Sequence, residues 1–380
     1  MIPLKRGVSF LYLSIPKLTV TFYHNFYKPV EDYTSAMKVA MYYNNSDVKN
    51  EELALPDISD DEILFKTMAS GICGSDLVEW YRIKKAPLVL GHEVAGFVEK
   101  KGKNVTDFLE GDRVFVTHHV PCGTCKYCLN GNDTACDMLR KTNFYPGGFS
   151  EYIRIPAVNI EKGMLNLPSD LSFEEGTFVE PLGCVVRGQR IAGIKPSDAL
   201  LVMGCGPAGI LHIKLAKALG VQRIIATDLN DFRLDMAKAN GAIPVKASDD
   251  VPSRIKDALN GELADKVIVC TGVLPAVKQA FNCVDRGGSI LYFAVPRPDE
   301  NVIAPLNDFW KDEKKIVFSY GAGPKDNQKA LELMANGKVN INDMITHRFT
   351  LDRTGKGFRI ASSGKDAMKV IIYPHGIVKY

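Results

Sequence analysis

The feature that most constrains this chain is a glycine triplet, Gly204-Cys-Gly206-Pro-Ala-Gly209, set between a predicted buried strand at 200–203 and a predicted helix at 208–219. Gly204 allows a tight turn, Gly206 lets the backbone approach a pyrophosphate, and Gly209 lets helix and strand pack closely. The triplet therefore predicts a dinucleotide-binding turn. An ordinary glycine-rich turn of an α/β domain is the alternative.

An acidic residue supports the dinucleotide interpretation. A second predicted strand, 224–227, ends at Asp228, which lies 19 residues after Gly209. A carboxylate there accepts hydrogen bonds from the adenosine ribose hydroxyls and repels a 2′-phosphate, which favours NAD over NADP. The start of the helix adds unpaired N–H groups and the positive end of its dipole for the phosphates.

The remaining periodicity defines the fold class. Strands at 267–270 and 290–293 alternate with helices such as 232–240, which predicts a parallel, doubly wound sheet over 186–322. The preceding part, 37–185, has short β-like runs broken by Gly and Pro, at 37–41, 63–67, 94–99, 113–117 and 151–155. One helix at 328–334 and a last strand at 368–373 are predicted after 322. The chain is therefore expected to be an α/β protein with a β-rich domain beside a doubly wound one.

Composition excludes several kinds of partner. The 380 residues carry a net charge of +3, too small to indicate nucleic acid or an anionic membrane surface. No apolar run approaches the ~20 residues of a membrane helix. Residues 1–36 are interpreted as a flexible extension or as a start codon assigned too far upstream. Lys5 and Arg6 precede a short apolar run that faintly resembles an export signal, but Pro16 and Lys17 interrupt it.

Four of the nine cysteines are closely spaced, at Cys122, Cys125, Cys128 and Cys136, within a lobe expected at 118–140. Four thiolates at this spacing reach the tetrahedral shell of a structural zinc and leave no position for water. An iron–sulfur cluster or a disulfide pair are the alternatives. A nucleic-acid-binding ribbon is disfavoured because the lobe has no concentration of Lys and Arg. Clustered cysteines without a convincing export signal indicate a reducing, cytoplasmic setting.

A second set of metal ligands is dispersed along the first half of the chain. Cys73 lies in Gly-Ile-Cys-Gly-Ser-Asp, His92 and Glu93 follow a glycine, and Glu180 precedes Pro-Leu-Gly. Each is weak evidence alone. Together they offer a thiolate, an imidazole and two carboxylates, which suits a catalytic zinc with an open or exchangeable position.

These motifs, in this order over about residues 37–373, resemble the zinc-containing medium-chain alcohol dehydrogenases, and most closely their sorbitol and threonine dehydrogenase branch. The resemblance implies a GroES-like catalytic domain (37–185 and 323–380), a Rossmann domain (186–322) and an active site between them. It implies zinc ligation by Cys73, His92 and Glu93, with Glu180 as fourth ligand or as partner of the zinc-bound water. Implied cofactor contacts are Gly204, Gly206, Ala208, Gly209, Asp228 and Arg233.

The chemistry expected from this set is hydride transfer from a secondary alcohol to NAD, giving a ketone. Zinc would lower the pKa of the substrate hydroxyl, and Ser75, two residues after Cys73, is expected to pass the proton outward. Two zinc ions per chain are therefore expected, one catalytic and one structural. Threonine 3-dehydrogenation is a second possibility, and a non-catalytic NAD-binding relative is a third that the complete ligand set disfavours.

The substrate stays open because the resemblance weakens between Cys73 and His92. That loop is shorter than in sorbitol dehydrogenases, and Glu79 on it could accept hydrogen bonds from a substrate or be a solvated charge. Lys84 and Lys85 are expected at the surface, with ligation of a substrate phosphate as the alternative. His118 and His119 are expected beside the structural lobe, and the cysteines outside the two zinc motifs are expected in the core: Cys184, Cys205, Cys270 and Cys283.

Association between copies of the chain is expected as well. The segments 302–303 and 315–319 are apolar and lie where the resembled family pairs its Rossmann domains edge to edge. An apolar edge strand invites such pairing. A homodimer or homotetramer with a small-molecule alcohol as substrate is therefore predicted, without nucleic acid or membrane.

Overall fold

The structure, a computed structural model, describes residues 36–377. The earlier prediction for residues 1–36 falls almost entirely outside the described residues. The strands are β1 (Ala36–Asn44), β2 (Asp47–Ala54), β3 (Ile63–Gly71), β4 (Leu88–Val89), β5 (Glu93–Lys101), β6 (Arg113–Val116), β7 (Tyr152–Ile155), β8 (Met164–Asn166), β9 (Ala199–Met203), β10 (Arg223–Asp228), β11 (Ile243–Lys246), β12 (Ala264–Val269), β13 (Val284–Tyr292), β14 (Lys315–Phe318), β15 (Ile345–Thr350) and β16 (Lys369–Tyr373).

Helices separate the later strands and are short in the first half of the chain. They are α1 (Glu79–Arg82), α2 (Lys126–Leu129), α3 (Ala157–Gly163), α4 (Phe173–Gly176), α5 (Val179–Ala192), α6 (Pro207–Ala218), α7 (Asp231–Ala239), α8 (Val251–Ala258), α9 (Leu274–Gln279), α10 (Leu306–Lys311), α11 (Pro324–Ala335) and α12 (Thr354–Ser363). None of the helices in the described part of the chain combines the length and apolarity needed to cross a membrane.

The β-rich part holds two sheets. A seven-stranded sheet has the order β15-β16-β3-β5-β6-β8, with β7 paired to β3, and a three-stranded sheet has the order β2-β1-β4. Strand β3 is buried along nearly its whole length, and Ile63, Phe65 and Val94 pack with Ile153 in the core beneath it. Because β16 pairs with β3, the end of the chain returns to the first sheet after the second domain is complete.

The second domain is a six-stranded sheet of order β11-β10-β9-β12-β13-β14, with every neighbouring pair parallel. The first strand, β9, lies in the middle of the sheet. Strands β10 and β11 are added on one side of it and β12 to β14 on the other, which is the doubly wound arrangement. All five residues of β9 are buried, as expected for a strand covered by helices on both faces. This confirms the predicted α/β fold class.

Helices α5 and α12 are among those that were not predicted. The expectation of one helix after 322 was wrong, because α12 follows α11. Gly183 and Gly188 lower the intrinsic helix propensity of α5. Packing requires at least one of these glycines, because a Cβ on Gly183 would lie 2.1 Å from Oδ1 of Asn327 on α11. Close contact between α5 and α11 thus stabilises a helix that its local sequence disfavours.

Candidate metal centre and cofactor site

Strand pairing brings the separated ligand motifs together. Gly71, at the end of β3, is paired with Glu93, the first residue of β5, so that Cys73 lies just beyond the edge from which His92 and Glu93 emerge. After Cys73 the chain forms a 3-10 turn, Gly74–Leu77, and the Cys73 sulfur accepts a hydrogen bond of 3.4 Å from the Ser75 amide. The antiparallel register therefore sets the distance between the cysteine and the other two side chains.

The three side chains form a compact group. One ligand atom from each of Cys73, His92 and Glu93 lies within 4.8 Å of the other two. Glu93 is fully buried and His92 nearly so. A sulfur, a nitrogen and an oxygen at this separation match the ligand set of a catalytic zinc.

Asp76 orients the histidine. Its carboxylate is fully buried, with Oδ2 accepting a 3.1 Å hydrogen bond from the Cys73 amide and Oδ1 3.3 Å from Nδ1 of His92. Burial raises the pKa of Asp76, but the charges of His92 and Arg82, together with hydrogen bonds from His92 and the Cys73 amide, outweigh that effect and the pKa is below its usual value. With Nδ1 facing a carboxylate, Nε2 of His92 is the nitrogen left for a metal.

Glu93 has one committed oxygen and one free oxygen. Oε2 forms a buried ion pair with Nζ of Lys369 on β16. Oε1 is buried and has no hydrogen-bond partner among the described residues. An unpaired carboxylate oxygen is costly in the interior, and a metal ion shared with Cys73 and His92 would satisfy it. The residues present therefore fit zinc.

Lys369 was not predicted as a site residue. The only signal in the sequence is a lysine inside the apolar run 368–373, where a buried cation requires a buried partner. Gly71 is required at the same place, because a Cβ there would lie 2.2 Å from Oε2 of Glu93.

Glu180 lies in the first turn of α5, beside the compact group but not within it. It is buried, and Oε1 accepts a hydrogen bond of 3.5 Å from the Cys184 thiol. Burial raises the pKa of Glu180, and the nearby His92 partly opposes this effect. Cys184, expected as a core residue, is therefore a neighbour of the site.

The two histidines at 118 and 119 also lie closer to the centre than expected. The His118 ring is 4.7 Å from the His92 ring and 3.9 Å from the His119 ring, measured between centroids. Burial lowers the pKa of His118 well below its usual value. His118 thus lines the catalytic side of the lobe as a neutral ring.

Two side chains of the loop after Cys73, Glu79 and Arg82, form hydrogen bonds with residues outside α1. Oε1 of Glu79 accepts a 2.9 Å hydrogen bond from the Asn45 amide, so the suggested role of Glu79 in binding substrate finds no support in its contacts. Arg82 donates from Nε to the Ser75 carbonyl (2.9 Å) and from Nη2 to Oγ of Ser75 (3.2 Å). Ser75 itself is exposed.

The four-cysteine lobe forms a second compact group. The sulfurs of Cys122, Cys125, Cys128 and Cys136 lie within 4.8 Å of one another, and two S–S separations are 3.5 and 3.9 Å. Ligands placed at the Zn–S distance of about 2.3 Å on a tetrahedron are separated by about 3.8 Å. The spacing fits one metal ion and is too small for a multi-iron cluster. None of the nine cysteines forms a disulfide.

Hydrogen bonds prepare the lobe for a cation. The amides of Thr124 and Cys125 donate to the Cys122 sulfur at 3.4 and 3.3 Å, and the Thr124 hydroxyl adds a third contact. These bonds lower the pKa of Cys122 to about 6. The thiolate is the form that binds zinc, and these bonds favour it at Cys122, whereas burial raises the pKa of Cys128 to about 12.

The glycine triplet has the geometry that its sequence predicts. Gly204 follows β9 with φ of +92°, and Gly206 is the N-cap of α6, with Ala208 in the first turn. A Cβ on Gly209 would lie 2.0 Å from the Gly204 carbonyl oxygen. The turn and the close helix–strand contact therefore both require glycine.

Asp228 ends β10 beside this turn. Its Oδ2 accepts from the Cys205 amide at 2.8 Å, and its Oδ1 accepts from the Asn230 amide at 2.9 Å. Nη1 of Arg233 lies 3.9 Å from Oδ2. The carboxylate is thus fixed at the edge of the glycine turn, where a ribose bound to the turn would meet it.

Comparison with known proteins agrees with both halves of this description. Residues 59–169 match the family described as the alcohol dehydrogenase GroES-like domain. Residues 207–336 match the family described as zinc-binding dehydrogenase. The chain belongs to the zinc-binding alcohol dehydrogenases. The predicted resemblance is confirmed, and this dehydrogenase is an oxidoreductase of CH–OH groups that uses zinc and a nicotinamide dinucleotide.

Individual relatives span most of this dehydrogenase. Sorbitol dehydrogenase of Bacillus subtilis is 32% identical, over 89% of this chain and 98% of its own length. L-threonine 3-dehydrogenase of Bacillus licheniformis is also 32% identical, over 85% and 94%. A zinc-binding dehydrogenase from Sinorhizobium meliloti, solved with NADP bound, superposes with a TM-score of 0.80 at 27% identity, covering 90% of this chain and 100% of its own.

Proposed function

We propose that this dehydrogenase oxidises a secondary alcohol of a polyol, sugar, cyclitol or amino alcohol with NAD and produces a ketone. The observation that carries the proposal is the compact group of Cys73, His92 and Glu93 with its unpaired buried oxygen. The sorbitol dehydrogenase relative supports this substrate class.

In this proposal Cys73, His92 and Glu93 hold the catalytic ion. Zinc bound there supplies Lewis-acid chemistry that lowers the pKa of a nearby hydroxyl, and the nicotinamide supplies the hydride acceptor. Ser75 accepts the hydroxyl proton and passes it to solvent, because it is exposed and its Oγ receives a hydrogen bond from Arg82 that leaves its own proton free to point outward. Glu180 closes the site from α5, as a fourth ligand or as a hydrogen-bond acceptor.

We assign NAD as the cofactor because Asp228 presents a fixed carboxylate to the adenosine ribose. A 2′-phosphate would meet that charge at close range. The expected preference is a higher kcat/KM with NAD than with NADP, measured at equal alcohol concentration. Gly204, Gly206, Ala208 and Gly209 would hold the pyrophosphate, and Arg233 would flank the adenosine.

Zinc content and turnover test the assignment. The purified protein is expected to hold two zinc ions per chain, and Cys73→Ala is expected to hold one, to bind NADH with nearly unchanged affinity and to lose alcohol oxidation. Metal analysis, NADH fluorescence titration and NADH formation measure the three quantities. Cys283→Ala, a buried cysteine outside both metal groups, is the control. Wild-type turnover by Cys73→Ala would show that the catalytic centre is wrongly assigned.

Threonine 3-dehydrogenation is the second candidate function, supported by the Bacillus licheniformis relative. A screen of NADH formation across polyols, cyclitols, sugars, L-threonine and simple alcohols separates the two, since only one of them should give the highest kcat/KM. A non-catalytic NAD-binding protein would bind the cofactor, hold one zinc in the four-cysteine lobe and oxidise none of them.

We further propose that the protein forms dimers or tetramers and works in a reducing compartment such as the cytoplasm. The apolar outer edge at β14 supports the first proposal. The absence of disulfides among nine cysteines supports the second.

A further inference from the structure

A short cationic loop connects the two metal-ligand segments. After the 3-10 turn at Gly74–Leu77 the chain forms α1 and a second turn, Ile83–Lys85, before β4 leads towards His92. The loop carries three cations, Arg82, Lys84 and Lys85. Because both of its ends lie at proposed metal ligands, the loop borders the group of Cys73, His92 and Glu93.

The Arg82 guanidinium lies one side chain away from the metal ligands. Nη2 is 3.2 Å from Oγ of Ser75 and 3.9 Å from Oδ1 of Asp76, and the same Oδ1 is 3.3 Å from Nδ1 of His92. A ligand bound at Cys73, His92 and Glu93 would therefore lie close to the Arg82 guanidinium.

Arg82 has donors to spare. A guanidinium carries five N–H groups, and two of them serve Ser75, through Nε and Nη2. Within residues 36–377, Nη1 makes no hydrogen bond, and it is absent from the buried atoms that lack a partner. The Arg82 side chain is 17% exposed, which leaves Nη1 available to a ligand beside the loop.

Lys85 adds a second cation beside the Tyr81 ring, whose centre is also 5.1 Å from the Arg82 guanidinium carbon. Its Nζ contacts the Tyr81 hydroxyl at 3.2 Å and lies 4.9 Å from the centre of that ring, and it forms no ion pair with any described carboxylate. Burial lowers the pKa of His119, and the charges of His92, Arg82 and Lys85 lower it further. Lys84 instead lies over Trp80, 5.8 Å from the ring centre.

The carboxylates around the cleft are engaged elsewhere. Asp76 serves Cys73 and His92, Glu79 accepts from Asn45, Glu93 pairs with Lys369, and Glu180 accepts from Cys184. The nearest one to Arg82 is Asp76, at 3.9 Å, beyond hydrogen-bond distance. Asp76 is therefore shared between Arg82 and His92, and Lys85 has no ion pair with any described carboxylate.

We propose that Arg82 and Lys85 bind an anionic group of the substrate, a carboxylate or a phosphate, so that the preferred alcohol is acidic and not a neutral polyol. This inference rests on the proposed function and narrows its substrate class. Arginine suits the task because its planar N–H groups match the oxygens of either anion. An anion held there would also orient the reacting hydroxyl towards the centre formed by Cys73, His92 and Glu93.

The experiment compares matched alcohols with the zinc-loaded enzyme and NAD. The substrates are C4–C6 polyols, the aldonic acids of the same carbon skeletons and the corresponding polyol phosphates. We expect kcat/KM for one acidic series to exceed that for the neutral series by at least about 10-fold at low ionic strength, since steering and charge-assisted bonds both contribute. The advantage should shrink in 0.5 M NaCl. The acidic series with the higher kcat/KM identifies carboxylate or phosphate as the recognised anion.

Single substitutions locate the effect. Lys85→Gln should lower kcat/KM for the preferred acid by about 10-fold and leave the neutral polyol within about 2-fold. Lys84→Gln carries the same charge change on the neighbouring residue and should alter neither. Arg82→Gln should lower the ratio of acid to neutral kcat/KM, and Arg82→Lys, which keeps the charge, should restore part of it.

Three results would overturn the inference: equal or better oxidation of neutral polyols by the wild type, an equal loss for both substrate types in Lys85→Gln, or an acid preference that 0.5 M NaCl leaves unchanged. In each case NADH would still form, and the proposed function would stand. If no alcohol of any series reduced NAD, the proposed function would fail first.

Discussion

At the residue scale, one carboxylate organises two of the three ligands. Asp76 receives the Cys73 amide on one oxygen and faces the His92 ring with the other, so it fixes both the turn and the imidazole. Partners that orient a metal-binding histidine contribute to metal affinity without touching the metal. Asp76 is therefore a positioning residue, and its removal should affect the metal before it affects the fold.

Asp76→Asn is expected to weaken binding of the catalytic zinc by about 10- to 100-fold, because an amide neither attracts the imidazole N–H as strongly nor fixes its tautomer. Competition with a fluorescent chelator measures the affinity, and the zinc of the four-cysteine lobe is an internal reference. Asp170→Asn, the same change on an exposed residue, is the control. Unchanged chelator curves for Asp76→Asn would remove the positioning role.

Residue-level prediction is easiest where chemistry repeats in a short motif. The four cysteines were grouped by spacing, whereas Cys73, His92 and Glu93 were separated from Glu180 by the family resemblance, and the structure brings each set together. The sequence alone did not identify Lys369. This residue lies 276 residues from Glu93 and becomes its partner only through pairing of β16 with β3. Long-range pairing of this kind leaves no local pattern.

At the element scale, helices α5 and α6 pack through a polar pair inside an apolar interface. Nε2 of Gln189 on α5 donates to the His212 carbonyl at 2.7 Å and lies 3.3 Å from Nδ1 of the His212 ring. The ring is fully buried and meets Phe293 edge-on. Burial lowers the pKa of His212 to about 3, so the ring is neutral in the folded protein.

This pair predicts a pH-dependent stability. The unfolded chain takes up a proton on His212 below about pH 6.5, whereas the native ring does not until about pH 3. The contribution of the neutral ring is therefore complete above pH 6.5 and is lost as the pH falls through this window. Its slope approaches about 1.4 kcal/mol per pH unit.

Urea unfolding of wild type and His212→Gln at pH 7.5, 6.0, 5.0 and 4.0 measures the effect. The free energy of unfolding of the wild type should fall more steeply than that of the variant, and the difference isolates His212 from other groups that titrate in the same range. Parallel pH profiles would show that His212 does not carry this dependence.

Elements with strong periodicity were predicted within a few residues, including β9, α6, β10 and α7. Two of the helices that were not predicted, α5 and α12, have a common cause. Gly355 and Gly357 interrupt α12 as Gly183 and Gly188 interrupt α5, and glycine lowers helix propensity by about 1 kcal/mol each. Tertiary packing supplies the difference, and a single sequence does not reveal it.

At the scale of the whole molecule, apolar side chains collect at one end of the doubly wound sheet. β14 is the last strand of that sheet, and large apolar side chains on and near it are exposed, among them Ile303, Leu306, Trp310, Phe318 and Tyr320. Ile303 is 91% exposed and Trp310 80%. Exposed apolar residues grouped beside an unpaired strand edge indicate an interface.

If two copies associate through this edge, charged substitutions there should weaken the dimer. Sedimentation at micromolar concentration should show a dimer or tetramer for the wild type, and a dissociation constant at least about 10-fold higher for the double variant Ile303→Lys, Trp310→Glu. Leu109→Glu changes another exposed apolar residue, outside this region, and should leave association unchanged. A wild type that sediments only as a monomer would exclude the interface.

The ion pair between Glu93 and Lys369 has a consequence for biosynthesis. The two residues lie on β5 and β16, one on each side of β3, yet the whole doubly wound domain is translated between them. Until β16 emerges from the ribosome, the Glu93 carboxylate therefore has no Lys369 to pair with. The four cysteines of the second metal group, by contrast, lie within a short stretch of chain and are translated together.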